Sequence, residues 1–585
     1  MAEYAAPIRD MKFVIEELIG LDTINGLPGY EEATPDVVKA ILEEAGKLAC
    51  DVLSPIDRTG DLEGSRLENG VVVTPTGFKD AYKAYIDGGW NALQFGPEIG
   101  GQGLPLLLAT PVFEMWDGAN LAFMLCPVLT IAAVECLEQF GSKAQKNTWL
   151  PKLVSGEWTG TMVLTEPHAG SDVGALKTRA QAEGDHYRIS GQKIYTTWGE
   201  HDLTENIIHM VLARTPNSPP GTRGISLFIV PKFLVNDDGS LGKRNDLRAV
   251  SLEHKLGIHG SPTCVMQFGE NEGAIGYLVG EESRGMEYMF SMMNSARLAV
   301  GREGVGISER AYQRAADYAR ERIQGRDAAD PRAGDVPIIR HPDVRRNLMK
   351  MRALTEANRA LGCYVAAQLD TARKHPDSVT RKSAQDRVDL LVPVVKAWST
   401  DCGVEIASMG IQVHGGAGFI EDTGAAQHYR DCRITPIYEG TNGIQALDLI
   451  GRKILRDRGE EMSKFIAEIR KTDIPDQMIA DEMWSALDAL TEAIDWMLGY
   501  DGDDPRAVIS GATPFLQAFG LVTGGWLMAR SAAIASAAEE EPDFYSAKLA
   551  TARFYAANLL PQVAGFAKSS MVGSEEIMAL SAEAF

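Results

Sequence analysis

Arg433-Ile-Thr-Pro-Ile-Tyr-Glu-Gly-Thr-Asn-Gly443 is the stretch from which the rest of the chain is read. Pro436 stops a regular helix or pins its entry. Gly440 and Gly443 let the backbone approach a ligand closely or adopt positive φ. Between Pro436 and Gly440 stands one carboxylate, Glu439, with Tyr438 before it and the hydroxyl of Thr441 soon after. A carboxylate at such a break has the placement of a general base on a sharply bent loop. Taken alone, a Glu here serves more often as an N-cap or an exposed loop acid. The rest of the chain decides between these roles.

Three further stretches carry that decision: Met162-Val-Leu-Thr-Glu-Pro-His-Ala-Gly-Ser-Asp172, Gly191-Gln-Lys-Ile-Tyr-Thr-Thr-Trp-Gly199 and Gln412-Val-His-Gly-Gly-Ala-Gly-Phe419. Together with Ile437-Tyr-Glu-Gly-Thr441, in this order, they resemble the acyl-CoA dehydrogenase family over roughly residues 36–455. The long tail resembles a subgroup with extra helices at both ends. The resemblance implies a mostly α fold with a central β-domain: a helical domain, a β-barrel-like domain, a helical bundle and a C-terminal helical extension.

The resemblance also implies FAD as cofactor and assigns residues to it. Leu164 and Thr165 stand where the family places a backbone amide and a hydroxyl near the pyrimidine side of the flavin ring. Thr197 stands where it places a hydroxyl near N5, and Tyr195 replaces a common Trp while keeping an aromatic face. Donors fixed at these points stabilise an anionic reduced flavin. From the residues alone, threonines in β-rich runs need no more than strand propensity. Arg322 matches the arginine that reaches the FAD pyrophosphate of a neighbouring subunit, where a planar fork suits two phosphate oxygens. Gln412, Gly415 and Gly416 match the loop that meets the adenosine part from the same neighbour, and Thr441 is assigned to the cofactor too. A homodimer is therefore expected, with the C-terminal extension on the surface that smaller relatives use to form tetramers. Two departures stand out. Gln324-Gly325 follows Arg322 where the family often has Phe-Gly, and Gly443 replaces a Gln found in many members.

For the acyl-CoA, Ser171 matches a serine near the CoA arm and also the cofactor. Arg297 matches an arginine reaching CoA, and Asn294 stands where Asp is more usual. Tyr438 and Gly440 flank the substrate beside Glu439. Without the resemblance, Arg297 reads as an ordinary ion pair on a helix surface. The proton α to a thioester carbonyl is weakly acidic, so a base must remove it while donors hold the developing enolate oxygen. The resemblance supplies a backbone amide and a flavin ribityl hydroxyl as donors, with Glu439 as base in an apolar pocket that raises its pKa. Some relatives carry the base on an earlier helix, where this chain has Ala296.

Composition bounds these expectations. With 585 residues the chain suggests about three to four domains. A net charge of -23 argues against nucleic acid and against an anionic membrane surface. The seven cysteines form no CxxC pair, which fits a reducing compartment, and a cytoplasmic location is expected. No basic segment followed by an apolar core opens the sequence, so no signal peptide is expected. Dispersed histidines imply no metal. The nearest approach to a membrane span is Thr513 to Ala529, which contains Pro514 and is read as a buried helix.

Along the chain, residues 1–35 form an N-terminal extension with an amphipathic piece from Met11 to Ile19. Residues 36–160 form a helical domain, in which Gly96 to Gly103 reads as a loop. Residues 161–280 carry short β-rich runs at His186 to Ile189, Ile207 to Ala213, Gly224 to Val230 and Val265 to Phe268. Residues 281–458 return to long helices broken between Arg326 and Pro337, and residues 459–585 form a helical extension.

The expected activity is α,β-dehydrogenation of an acyl-CoA to the trans-2-enoyl-CoA, with electrons passed to an electron-transfer flavoprotein. The expected substrate is 3-methylmercaptopropionyl-CoA or a short acyl-CoA of that length. The alternatives are a medium- or long-chain acyl-CoA dehydrogenase, or an acyl-CoA oxidase of the same fold. A non-enzymatic flavoprotein that binds nucleic acid is opposed by the charge and by Glu439.

Overall fold

The computed structural model describes residues 4–332 and 334–585. By backbone compactness the chain forms two units. One comprises Met1–Gly46, Pro105–Gly118 and Val300–Phe585; the other comprises Lys47–Leu104 and Ala119–Ala299. This division cuts across the segments expected from sequence, since residues 36–160 contribute to both units.

The second unit is built on one eight-stranded sheet. Its strands are β1 (Thr159–Val163), β2 (Arg179–Glu183), β3 (His186–Thr197), β4 (Ile207–Arg214), β5 (Ile225–Pro231), β6 (Leu247–Leu252), β7 (Thr263–Phe268) and β8 (Ala274–Leu278). The spatial order is β6-β7-β3-β8-β5-β4-β1, with β2 paired to β3 and β4. β1 runs parallel to β4, with Thr161 opposite His209. Val163, Ile189, Val211, Phe228, Met266 and Phe268 share the buried face. The four β-rich runs of the sequence lie on β3, β4, β5 and β7. Gly224 falls instead in the turn before β5, and β3 continues to Thr197, well beyond Ile189.

Two long apolar helices matter for the membrane expectation. The first, α1 (Leu106–Phe140), is more apolar than the stretch singled out from sequence, and its apolar window is 94% buried. Its backbone leaves helical geometry at Asn120 (φ -161°, ψ 88°). The Asn120 side chain accepts from the Phe123 amide at 3.1 Å, so Asn120 acts as an N-cap for the segment that follows.

The first unit is helical. Its main elements are the later part of α2 (Gly285–Glu321), α3 (Pro342–Lys374), α4 (Ser378–His414) and α5 (Ala512–Ala537). The Thr513 to Ala529 stretch lies inside α5, whose apolar window is 83% buried. The first residues of α1 belong here, and the buried Asp370 of α3 caps them. Its carboxylate accepts from the Leu106 and Leu107 amides, each at 2.9 Å. These are the donors that a helix start leaves unpaired. Arg359 of α3, also buried, is bracketed by Glu114, Glu309 and Asp10. Met11 to Ile19 is helical, within a run from Ile8 to Asn25. Gly96 to Gly103 is a loop holding one short turn, Pro97–Ile99. The break between Arg326 and Pro337 contains a small hairpin that pairs Arg326 with Asp335.

Candidate active site

Glu439 lies in the helical unit between the helices Ala425–Cys432 and Asn442–Asp448. Its backbone is left-handed, with φ 53°, followed by Gly440 at φ 87°. For a residue with a Cβ this is a strained conformation that the surroundings must enforce. They do so from both sides. Ahead of it, the Tyr438 amide donates to Ile434 O at 3.2 Å. Behind it, Thr441 caps the next helix, its hydroxyl accepting from the Ile444 amide at 3.3 Å. Asn442 then anchors the segment to α4. Its amide donates to Ala397 O at 3.0 Å and to Asp401 Oδ1 at 2.7 Å, while its oxygen accepts from Lys396 Nζ at 2.8 Å. Glu439 itself is half-buried.

Beneath this loop lies a group of polar side chains that the sequence reading did not identify. The Tyr438 hydroxyl donates to Glu303 Oε2. Glu303 and Arg302 are consecutive on α2, and Arg302 Nε donates to Asp117 Oδ2 of α1 at 2.7 Å. Glu303 is 1% exposed and Asp117 is fully buried. Burial first, and then the neighbouring Asp117, push the Glu303 carboxyl up to about 8 despite the Tyr438 hydrogen bond. Burial also raises Asp117, to about 6, against the pull of Arg302. The sequence did contain a signal. Gly301, Gly304 and Gly306 fall around Glu303 on one helix. A Cβ on Gly304 would sit 2.6 Å from Ser399 O, and one on Gly301 would sit 2.6 Å from Val395. Such closeness buries whatever polar residue lies among the glycines.

Also in this unit, Arg322 is exposed and donates through Nη2 to Gln324 Oε1 at 3.0 Å. The Gln found where the family often has Phe therefore holds the arginine fork. Gln412, Gly415 and Gly416 are exposed at the end of α4, where Gly415 (φ 59°) terminates the helix. Phe419 and Ile420 beside them are 85% and 53% exposed.

In the β-unit, Leu164 and Thr165 directly follow β1, and both are half-buried. A buried ion pair fixes them. Lys193 Nζ on β3 donates to Leu164 O at 2.8 Å and to Glu166 Oε1 at 2.9 Å. The Glu166 carboxylate also accepts from the Lys177 and Thr178 amides and the Thr178 hydroxyl. The Ile194 amide donates to Thr165 O at 2.9 Å, so strand and loop are tied together at successive residues. Burial alone would raise Glu166, but Lys193 and these donors hold it down to about 2. Burial lowers Lys193 to about 8, partly offset by Glu166. Both motifs were quoted from sequence, yet the residues that lock them had no assigned role.

Further along β3, Tyr195 is 61% exposed with φ 57°. Thr197 pairs with Thr263 of β7 and is half-buried. Half-buried hydroxyls beside an exposed aromatic face on a rigid strand suit a planar heteroaromatic ring. Ser171 is exposed in the loop after β1, and Asn294 is exposed on α2. Arg297 is 6% exposed, which corrects its reading as an ordinary surface arginine; Ala296 beside it is 2% exposed. Among the described residues, no group of three or more His, Cys, Asp or Glu is placed to hold a metal ion.

Comparison with known proteins agrees with this architecture. Residues 38–157 match the family described as acyl-CoA dehydrogenase, N-terminal domain. Residues 161–270 match its middle domain and residues 283–455 its C-terminal domain. Residues 459–581 match the family described as acetyl-CoA dehydrogenase C-terminal like. The chain is 47% identical to 3-methylmercaptopropionyl-CoA dehydrogenase of Ruegeria pomeroyi, over 95% of this chain and 96% of that one. It is 37% identical to a butyryl-CoA dehydrogenase of Syntrophomonas wolfei, over 100% and 99%. A solved acyl-CoA dehydrogenase of Bacillus anthracis, complexed with FAD, superposes with a TM-score of 0.75 at 20% identity, covering 96% and 91%. On this sequence identity and coverage, the chain belongs to the acyl-CoA dehydrogenase family.

Proposed function

We propose that this chain is an FAD-dependent acyl-CoA dehydrogenase that converts an acyl-CoA thioester to its trans-2-enoyl-CoA, with Glu439 as the base. The observation that carries the reading is the enforced left-handed conformation of Glu439. Backbone strain of this kind costs about 1–3 kcal/mol and clusters at functional sites. Here a network from Ile434 to Asn442 maintains it at the one carboxylate that the family motif assigns to proton abstraction.

The Glu439 carboxylate takes the α proton, leaving the Cα–H electron pair to form the Cα=Cβ bond. FAD, when bound by these residues, would supply the acceptor for the hydride leaving Cβ. Donors to the thioester oxygen stabilise the enolate charge as it develops. The Glu166–Lys193 pair keeps Leu164 and Thr165 in register with β3, and so with Tyr195 and Thr197, which bind the cofactor ring. Arg322, Gln412, Gly415 and Gly416 serve the FAD of a second copy in a homodimer. The exposed Phe419 and Ile420 beside them support that assignment.

The substrate is 3-methylmercaptopropionyl-CoA or a short acyl-CoA of similar length, and the electrons pass to an electron-transfer flavoprotein in the cytoplasm. The 47% identity over nearly the whole of a relative named for that substrate supports the choice. The butyryl-CoA relative supports the short chain length.

One experiment tests the reading. Anaerobic mixing with a panel of acyl-CoAs, followed at the oxidised flavin absorbance, should show far faster bleaching with short chains. Glu439→Gln should retain FAD and bind substrate but reduce flavin about 10²–10⁴-fold more slowly, the usual loss for a positioned base. Bleaching by Glu439→Gln at near wild-type speed refutes Glu439 as base. A preference for long chains refutes the substrate.

A further inference from the structure

We propose that Glu303 is a positioning residue for Glu439: its buried carboxyl holds Tyr438 and places a second titratable group behind the base. The inference rests on the reading of Glu439 as base.

Its grounds are geometric. Glu303 is 1% exposed, yet it lies among glycines on a helix that packs against α4. One of its oxygens, Oε2, accepts from the Tyr438 hydroxyl. The other, Oε1, is buried without a hydrogen-bond partner, as are Asp117 Oδ1 and Arg302 Nη2. A polar group left so costs free energy, and native structures keep few of them. A protonated Glu303 lowers that cost, because an ionised carboxylate with one partner is worse in a buried site than a neutral acid.

The surroundings fix which charges Glu303 meets. From α1 comes Asp117, already paired with Arg302. From the loop come Tyr438 and Glu439, both within electrostatic reach. From the helix Ala425–Cys432 comes Cys432, whose thiol burial pushes up to about 12. On α4, Lys396 and Asp401 are engaged with Asn442. Arg302 is the cation that acts on Glu303, and it is paired with Asp117. Glu303 is neutral at pH 7 and ionises as pH rises through about 8.

Ionised Glu303 opposes negative charge on Glu439 and so favours the protonated form that proton abstraction produces. The rate constant for flavin reduction should therefore step upward through about pH 8. A like charge that raises a neighbour by about one pKa unit changes the proton-transfer equilibrium about tenfold, so the step should be about three- to tenfold.

The test compares wild type, Glu303→Gln, Tyr438→Phe and Glu439→Gln, all as holoenzyme. Each is measured for FAD content, Tm and the pH profile of the reduction rate constant under anaerobic conditions. Glu303→Gln keeps size and can still accept from Tyr438, so it should fold and retain FAD while losing the step. Tyr438→Phe removes the clamp but not the charge, so it should keep the step, moved to higher pH by loss of the hydroxyl that favours the ionised form, with a lower overall rate. Identical pH profiles for wild type and Glu303→Gln overturn the proposal. If Glu303→Gln fails to hold FAD, absence of the step from Tyr438→Phe overturns it instead. Glu439→Gln separates the two readings. Its inactivity together with a flat wild-type profile sinks the role of Glu303 alone, whereas its full activity sinks the assignment of the base.

Discussion

Replacing Lys193 with Met should loosen the loop that carries Leu164 and Thr165 far more than replacing Lys193 and Glu166 together. The side chains are nearly inaccessible, at 0% and 3% exposed. Holding the Glu166 carboxyl at about 2 rather than 4.5 favours the folded, charged form. At 1.36 kcal/mol for each pKa unit this is worth about 3 kcal/mol. The sign follows from linkage. That stability is present above about pH 4.5 and is lost as pH falls toward about 2. Lys193 works in the opposite direction. Its value falls from 10.5 to about 8, so burial of the ammonium costs about 3 kcal/mol below pH 8 and is relieved as pH rises above it. The two nearly cancel, as expected of a buried ion pair, whose attraction roughly offsets its desolvation.

The asymmetry appears when one partner is removed. Lys193→Met leaves Glu166 buried and charged, and breaking a buried pair in this way costs about 3–5 kcal/mol. The retained donors from Lys177 and Thr178 place this case at the lower end. Lys193→Met/Glu166→Gln removes the stranded charge and should recover most of the loss. Hydrogen exchange reads this locally through the Ile194 amide, which donates to Thr165 O, and the Thr178 amide, which donates to Glu166. An opening free energy lower by about 3 kcal/mol speeds exchange on the order of a hundredfold. The double variant should exchange within about tenfold of wild type. Unchanged protection in Lys193→Met, or a double variant less protected than the single, refutes the account.

Two further outcomes follow from the helical unit. Gly440→Ala should destabilise by about 1–2 kcal/mol, because φ 87° is unfavourable for a residue with a Cβ. It should also slow flavin reduction more than it lowers Tm, since the strain relaxes through Glu439; a Tm change with unaltered reduction rate counts against the loop's role. Arg322→Ala should weaken FAD retention about ten- to a hundredfold, the weight of a charged hydrogen bond of roughly 1.5–3 kcal/mol. FAD titration with parallel sedimentation checks this, and a monomer that retains FAD fully contradicts the shared site.

The β-unit was legible wherever apolar residues ran without interruption. Ile207 to Ala213 and Gly224 to Val230 mark β4 and β5 because both strands are buried along almost their whole length. β6 and β8 were missed for the complementary reason. In β6, buried Leu247 and Ala249 alternate with exposed Arg248 and Val250, and a bulge follows Ala249. β8 contains Gly276, whose missing side chain lets Ile189 and Val230 approach, and glycine is a poor strand signal. Residues 36–160 read only as a helical domain, and the break at Asn120 inside α1 was not marked, although Gly118 stands two residues before it.

The site divides in the same way. Glu439 was legible because a Pro and two glycines mark its loop, and local chain geometry is what short motifs record. Glu303 was not, because its significance lies in contacts from residues more than a hundred positions away, Asp117 and Tyr438. Nothing in the spacing of a helical Glu says whether it faces water or a buried hydroxyl. The glycines around it carried that information, since a helix that presents Gly301 and Gly304 to the carbonyls of α4 leaves no room for solvent beside them. A carboxylate flanked by close-packing glycines on a long helix is therefore better read as a buried titratable group than as a solvated face. When such a group lies behind a catalytic loop, its charge state becomes part of the chemistry of the residue in front of it.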